Sequence, residues 1–252
     1  MINKHLITCS VILVMAIIFK LNICSTTTTK TALKSHHVSR YIYARNDAAK
    51  NYSFADEALP RNDAKVNRKM RLTLKKHNYK NTQTNLLHSK AEKLFPIIEP
   101  ILAKYGIPND FKYLPLVESG LNEGTSPKGA RGLWQFMPGT ARSYGLKVGK
   151  GVEERMNVRK STIAACKYLK ELHDEFNSWT LAAAAYNNGS IKLEKAMRKQ
   201  SQKNYFRMHL NKETGAYVYK LVAMKEIIGQ PVKYGYSPLY AYQPLPQLLA
   251  VN

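Results

Sequence analysis

Residues 157–186 read NVRKSTIAACKYLKELHDEFNSWTLAAAAY. Ile163, Cys166, Leu169, Leu172 and Phe176 recur at intervals of three and four, the spacing that puts apolar side chains on one face of an α-helix. Asn157 or Ser161 is the expected start, since each carries a short oxygen-bearing side chain that can cap the first turn. A second helix is expected over residues 179–186. Working outward in both directions, the same periodicity returns. Leu94, Ile97, Ile98, Ile101, Leu102 and Tyr105 form another apolar face, closed by Gly106-Ile107-Pro108. Pro96 and Pro100 interrupt that stretch, so a short helix starting near Pro96 is expected rather than one continuous rod. Asn109 or Asp110 is expected to cap a helix that carries Phe111, Leu114 and Val117 and ends near Glu118. Further helices are expected over residues 140–144, closed by Gly145, and over 191–199 and 212–228. Strand signals are almost absent, and the chain reads as all-α.

The flanks have a different texture. Residues 6–19 are almost wholly apolar, follow Lys4 and His5 and stop at Lys20. That is the length of a signal-peptide core and short for a spanning helix, which needs about 20 residues. Export is therefore expected, with residues 1–25 as signal peptide or membrane anchor. Cys24 stands where a bacterial lipoprotein carries its lipid, although Ile23 is bulky for the position before it. Residues 26–86 are polar and basic and are expected to be a partly disordered linker, with a weak helix over 63–76 whose basic face is solvated. Residues 87–230 are expected to be the main folded domain, and residues 231–252, rich in Pro and Tyr, an extended tail.

Lys and Arg number 39 against 17 Asp and Glu, a formal net charge of +22. With 44% hydrophobic residues the chain is too apolar to be wholly disordered. Its length suits one domain with appendages. The charge calls for an anionic partner. It divides as +2 over residues 1–25, +10 over 26–95 and +10 over 96–252. A surplus spread this evenly is not the single aromatic-studded patch that nucleic acid requires, so no nucleic acid is expected. Three cysteines cannot build a disulfide framework, and Cys166, inside the helical pattern, reads as a small buried apolar residue. No metal-ligand spacing occurs among the seven His, and neither metal nor cofactor is expected.

Chemistry enters at Glu118. In Tyr113-Leu114-Pro115-Leu116-Val117-Glu118-Ser119-Gly120-Leu121 a carboxylate has apolar neighbours on both sides. If the fold also desolvates it, its proton is held more tightly, which is how a glutamic acid serves as a general acid near neutral pH. A helix-end Glu facing water is the plain alternative.

The stretch that follows, SPKGARGLWQFMPGTA at residues 126–141, together with Glu118-Ser119-Gly120, closely resembles the soluble-lytic-transglycosylase domain. More motifs follow in order: Val152-Glu153-Glu154-Arg155, Lys160-Ser161-Thr162, residues 168–173, Ala185-Tyr186-Asn187-Asn188-Gly189, and Glu213-Thr214-Gly215-Ala216-Tyr217-Val218. The likeness covers roughly residues 90–230 and is greatest to the membrane-bound lytic murein transglycosylase D subgroup. It implies a lysozyme-like helical fold and peptidoglycan glycan strands as substrate, cut at the β-1,4 bond from N-acetylmuramic acid to N-acetylglucosamine. Glu118 would be acid and then base, leaving a 1,6-anhydro end. By the same likeness Ser126 would contact the muramoyl sugar and Gln135 would line the cleft. Tyr186 and Asn187 would position Glu118 and the sugar, and Tyr217 would hydrogen-bond near the acid. Trp134 and Phe136 would stack on sugar or enter the core, and Glu213 would cap its helix.

The chain departs from the family in three places. Seven residues rather than eight separate Glu118 from Ser126, Gly215 replaces an Arg, and Asn188 replaces an Ala. Two other readings stay open. A hydrolytic muramidase of the same fold would need a second acidic group, for which Glu123 and Glu153 are the nearby choices. A non-catalytic wall-binding module would need none.

Overall fold

The computed structural model describes residues 51–82, 85–121 and 124–237. The expectations for residues 1–50, including the apolar leader, Cys9, Cys24 and the first part of the basic arm, and for 238–252 lie outside them.

The architecture is all-α, as expected, with two small hairpins added. A hairpin of β1 (Ser53–Phe54) and β2 (Glu57–Ala58) leads into α1 (Ala64–His77) and the single turn α2 (Tyr79–Thr82). Then come α3 (Leu86–Lys104), a 3-10 turn (Asn109–Tyr113) that runs into α4 (Leu114–Ser119), and α5 (Pro138–Ser143). A second hairpin, β3 (Val148–Gly149) with β4 (Val152–Glu153), precedes α6 (Val158–Phe176), α7 (Trp179–Asn188), α8 (Ser190–Gln200) and α9 (Thr214–Gly229).

The stretch that decided the fold forms as read. Asn157 is the cap of α6, its side chain accepting from the Lys160 amide, and Ser178 caps α7 by accepting from the Leu181 amide. Cys166 is fully buried on α6, and burial pushes its thiol up to about 12, where it is inert. The α7 run from Leu181 to Ala185 is buried on all sides, so α6 and α9 approach it closely over small side chains. Helix α9 is the axis of the domain. It is buried around nearly its whole circumference, and α1, α4 and α7 pack against it.

Four expectations change. First, α3 is one helix through both Pro96 and Pro100. Each proline removes one backbone donor, but Ala91, Phe95, Ile98 and Leu102 are all fully buried on one face, and that packing carries the helix across the gaps. Second, neither Asn109 nor Asp110 caps a helix. The Asp110 carboxylate accepts instead from the Ala55 amide and from Lys225 Nζ, both at 2.7 Å.

Third, the expected linker is folded from Asn51 onward. Phe54 packs edge-on against Phe111 at 5.0 Å, and Val66, Met70 and Leu74 of α1 are buried. Helix α1 covers nearly the span expected of a weak helix, with Asp63 accepting from the Lys65 and Val66 amides. Two-residue strands and three apolar residues on a basic helix give too little pattern to separate this segment from a linker. Fourth, the expected tail begins inside the fold. Pro231–Tyr234 is a 3-10 turn, and the buried Tyr236 packs against Tyr79 and donates to the His77 carbonyl at 3.0 Å.

The hairpin is joined to the domain by Glu57, whose carboxylate sits at the N-terminus of α7. It accepts from Ser178 Oγ at 2.9 Å, Thr180 Oγ1 at 2.6 Å, the Thr180 amide at 3.2 Å and the Trp179 amide. A carboxylate there satisfies helix donors that lack intrahelical partners and complements the helix dipole. Glu57→Ala is therefore expected to destabilise the fold by about 1–3 kcal/mol in chemical denaturation, although residue 57 lies far from the chemistry in sequence.

Candidate active site

Helix α4 ends on Glu118-Ser119, and the chain then turns through Gly120 (φ 59°) and Leu121 (φ 55°), both left-handed. Ser119 Oγ lies 3.0 Å from both the Pro115 and Leu133 carbonyls, which ties the end of α4 to the Gly-Leu-Trp-Gln stretch. Tyr186 on α7 donates to the neighbouring Trp134 carbonyl at 2.8 Å. Three elements distant in sequence thus hold one short segment around Glu118.

Glu118 is half-buried, and one of its carboxylate oxygens accepts from the hydroxyl of the buried Tyr217 on α9. Burial raises the proton affinity of Glu118 above the ordinary glutamate range. The hydrogen bond from Tyr217 pulls the other way, the negative charge of Glu213 adds to the rise, and the positive charge of Lys220 opposes it. Burial and the Glu118 charge also push the phenols of Tyr217 and Tyr186 well up, so both remain hydrogen-bond donors at any physiological pH. A carboxyl group whose proton is held more tightly by burial, and whose charged form accepts one hydrogen bond, is suited to giving up a proton and taking it back.

The loop that follows is held by its own residues. Ser126 Oγ accepts from the Ala130 amide at 3.0 Å, and the Ser126 amide bonds the Ala130 carbonyl at 2.8 Å. Gln135, in the left-handed region at φ 48°, donates from Nε2 to the carbonyls of Gly132 at 2.8 Å and Gly124 at 3.2 Å. Both residues brace the loop that follows Glu118. Trp134 and Phe136 are both core residues, Trp134 with its ring N–H on Thr162 Oγ1 at 3.0 Å.

Asn187 stands where the end of α7 meets the start of α9. It donates to Glu213 at 3.1 Å and accepts from Thr214 Oγ1 at 3.0 Å, which fixes the start of α9 against the end of α7. Glu213 occupies the cap position of α9 without a side-chain cap bond; Asn211 Oδ1 accepts from the Thr214 amide instead. The structure therefore brings Tyr217 onto Glu118 directly. Tyr186 and Gln135 reach it through the backbone of residues 132–135, and Asn187 through Glu213.

Sequence reading assigned no role to Ser119, Gly132 or Arg155. Arg155 is buried and donates to the Gly129 and Phe136 carbonyls at 2.9 Å, while its guanidinium grips both oxygens of Glu153 at 2.7 Å. Gly132, at φ 77°, passes so close that a Cβ there would lie 2.0 Å from the Arg155 carbonyl oxygen. A Gly and an Arg within a run of ordered motifs were the available signal, but only the fold shows that they meet. Arg155 and Arg131 hold Glu153 below the usual carboxylate range. An ionised, fully engaged carboxylate is poorly suited to be the second acid of a hydrolase, and Glu123 lies outside the described residues.

Residues 96–208 match the family model described as the transglycosylase SLT domain. The chain is 33% identical over 152 residues to the membrane-bound lytic murein transglycosylase D of Escherichia coli strains K12 and O6:H1, a match covering 58% of this chain and 34% of each relative. The chain thus spans about a third of the length of these relatives. The fold is also similar to the crystal structure of the 70 kDa soluble lytic transglycosylase Slt70 of Escherichia coli, with TM-score 0.46 and 20% identity over 58% of this chain and 25% of that one. Hairpin β1–β2 and α1 lie N-terminal to the matched SLT residues.

Two outcomes test this site. Gly132→Ala is expected to cost about 3 kcal/mol or more in unfolding free energy, because the new methyl meets backbone rather than a movable side chain. Tyr217→Phe removes a donor that favours the charged carboxylate. The Glu118 titration, followed by carboxyl NMR, is expected to move to higher pH.

Proposed function

We propose that the chain is a peptidoglycan lytic transglycosylase that cuts the β-1,4 bond between N-acetylmuramic acid and N-acetylglucosamine, with Glu118 as its only catalytic carboxyl group. The observation that carries this reading is Glu118 itself: half-buried, raised in proton affinity and hydrogen-bonded to the buried Tyr217 within a matched SLT domain.

Protonated Glu118 gives its proton to the glycosidic oxygen as the bond to C1 of the muramoyl sugar breaks. The glycosidic oxygen leaves as a hydroxyl, and C1 becomes electron-deficient. The Glu118 carboxylate then removes the proton of the C6 hydroxyl of the same sugar, whose oxygen closes on C1. The acid is restored and a 1,6-anhydro ring remains. The nucleophile is already tethered, so no water is consumed and no second carboxylate is needed. Burial supports the first step by raising the proton affinity of the acid, and the Tyr217 hydroxyl supports the second by stabilising the carboxylate once formed. Tyr186, Gln135 and Ser126 hold the wall of the cleft against which the muramoyl sugar would lie, with Asn187 supporting it through Glu213. The substrate lies outside the cytoplasmic membrane, so this reading requires export and a place in the periplasm or cell envelope, which the leader-like residues 1–25 would provide.

Muropeptide analysis of digested sacculi tests the reaction. Products ending in 1,6-anhydro-muramic acid are expected from the wild type and none from Glu118→Gln; reducing muramic ends from the wild type would replace this reading with a hydrolase. The same variant carries a stability signature. A Glu whose folded pKa is raised stabilises the fold most while protonated, and that contribution is lost as pH rises through the folded pKa. At neutral pH, Glu118→Gln is therefore expected to unfold at a temperature equal to or above that of the wild type while being inactive.

A further inference from the structure

Helix α1 holds six Lys and Arg and no acidic residue. Val66, Met70 and Leu74 are buried against the domain, which leaves the opposite face to solvent. At 3.6 residues per turn, Leu72 is near the middle of that outer face. It is 57% exposed. Arg68 precedes it by one turn, and Lys75 and Lys76 follow it by one turn; all three are exposed. Among the described residues their side chains enter no ion pair. Leu72, Lys75 and Lys76 line one shallow depression with Asn81 and Thr82, and Arg61, Lys65 and Arg207 line another at the start of the helix. The single acidic residue at that end, Asp63, is committed to capping.

Lys69 shows where this face points. It reaches inward to the Gly215 carbonyl at 2.6 Å and lies 4.8 Å over the Tyr219 ring. Gly215 and Tyr219 each stand two residues from Tyr217, roughly 200° around α9. So α1 packs on the side of α9 opposite the one that supplies Tyr217 to Glu118, and its basic face turns away from Glu118.

We propose that the outer face of α1 is a docking surface for an anionic lipid bilayer, separate from any attachment through the N-terminus. The Lys and Arg side chains meet lipid phosphates and Leu72 enters the interface between them. An exposed leucine at the centre of a basic face is what favours lipid over a hydrophilic wall polymer, which offers it nothing apolar. Docked this way, the domain presents its cleft away from the membrane.

The test uses the full chain, so that residues 1–50 are the same in every sample. Sedimentation is measured with mixed phosphatidylglycerol and phosphatidylcholine vesicles and with pure phosphatidylcholine vesicles. The combined substitution Arg68→Glu, Lys75→Glu and Lys76→Glu is expected to weaken binding to the anionic vesicles about a hundredfold, at roughly fivefold per basic residue lost, and to leave binding to neutral vesicles unchanged. Leu72→Gln, which keeps the charge, is expected to weaken anionic-vesicle binding several-fold. Thermal unfolding of each variant checks that the fold persists. Wild-type binding by the triple variant overturns the proposal. So does a loss of polyphosphate binding as large as the loss of vesicle binding together with no effect of Leu72→Gln, which assigns the face to soluble polyanions.

Discussion

Helix α9 offers water almost no face. Tyr217, Val218, Leu221, Val222, Ala223 and Ile228 point in different directions around it, and all are buried. A helix of this kind cannot lie on a surface; other elements must enclose it. Helix α7 covers one side with its run of alanines, α4 and the 3-10 turn before it cover another, and α1 closes a third. The geometry around Glu118 is a product of that enclosure. Tyr217 is fixed because α9 is fixed, and Glu118 ends a six-residue helix that has no stability of its own apart from the packing of Leu114, Pro115 and Leu116.

The same enclosure gives the N-terminal segment its place. A domain that began at α3 would leave Tyr219 and the Gly215 carbonyl without Lys69, and the start of α7 without Glu57. The hairpin and α1 are thus a wall of the core, and the basic charge that α1 carries is displayed on a rigid support. Part of the +22 surplus thereby acquires a definite location, on the face remote from Glu118. The one carboxyl group with a proposed chemical role stands on the other side of α9.

The motifs were legible in sequence because each is a local run of residues in a set order. Glu118, Tyr217, Tyr186 and Gln135 could be picked out this way, and the structure brings them into one neighbourhood. Their working relations were less legible. Asn187 turns to Glu213, Ser126 and Gln135 spend their hydrogen bonds on their own loop, and Trp134 and Phe136 are both interior. Ser119, Gly132 and Arg155 went unassigned because their function is a backbone contact with residues 14 to 26 positions away, which leaves no periodic trace.

By itself the sequence determined the all-α class, most of the helices, and the order of motifs around Glu118, since helical periodicity, capping and short motifs are properties of neighbours along the chain. Tertiary structure alone decided that α3 runs unbroken through two prolines, that the basic segment from Asn51 is folded, and that Tyr217 meets Glu118 across 99 positions. Each of those outcomes depends on how much apolar surface a second, distant segment can cover, and on which side chains are desolvated when it does. No local pattern contains that quantity.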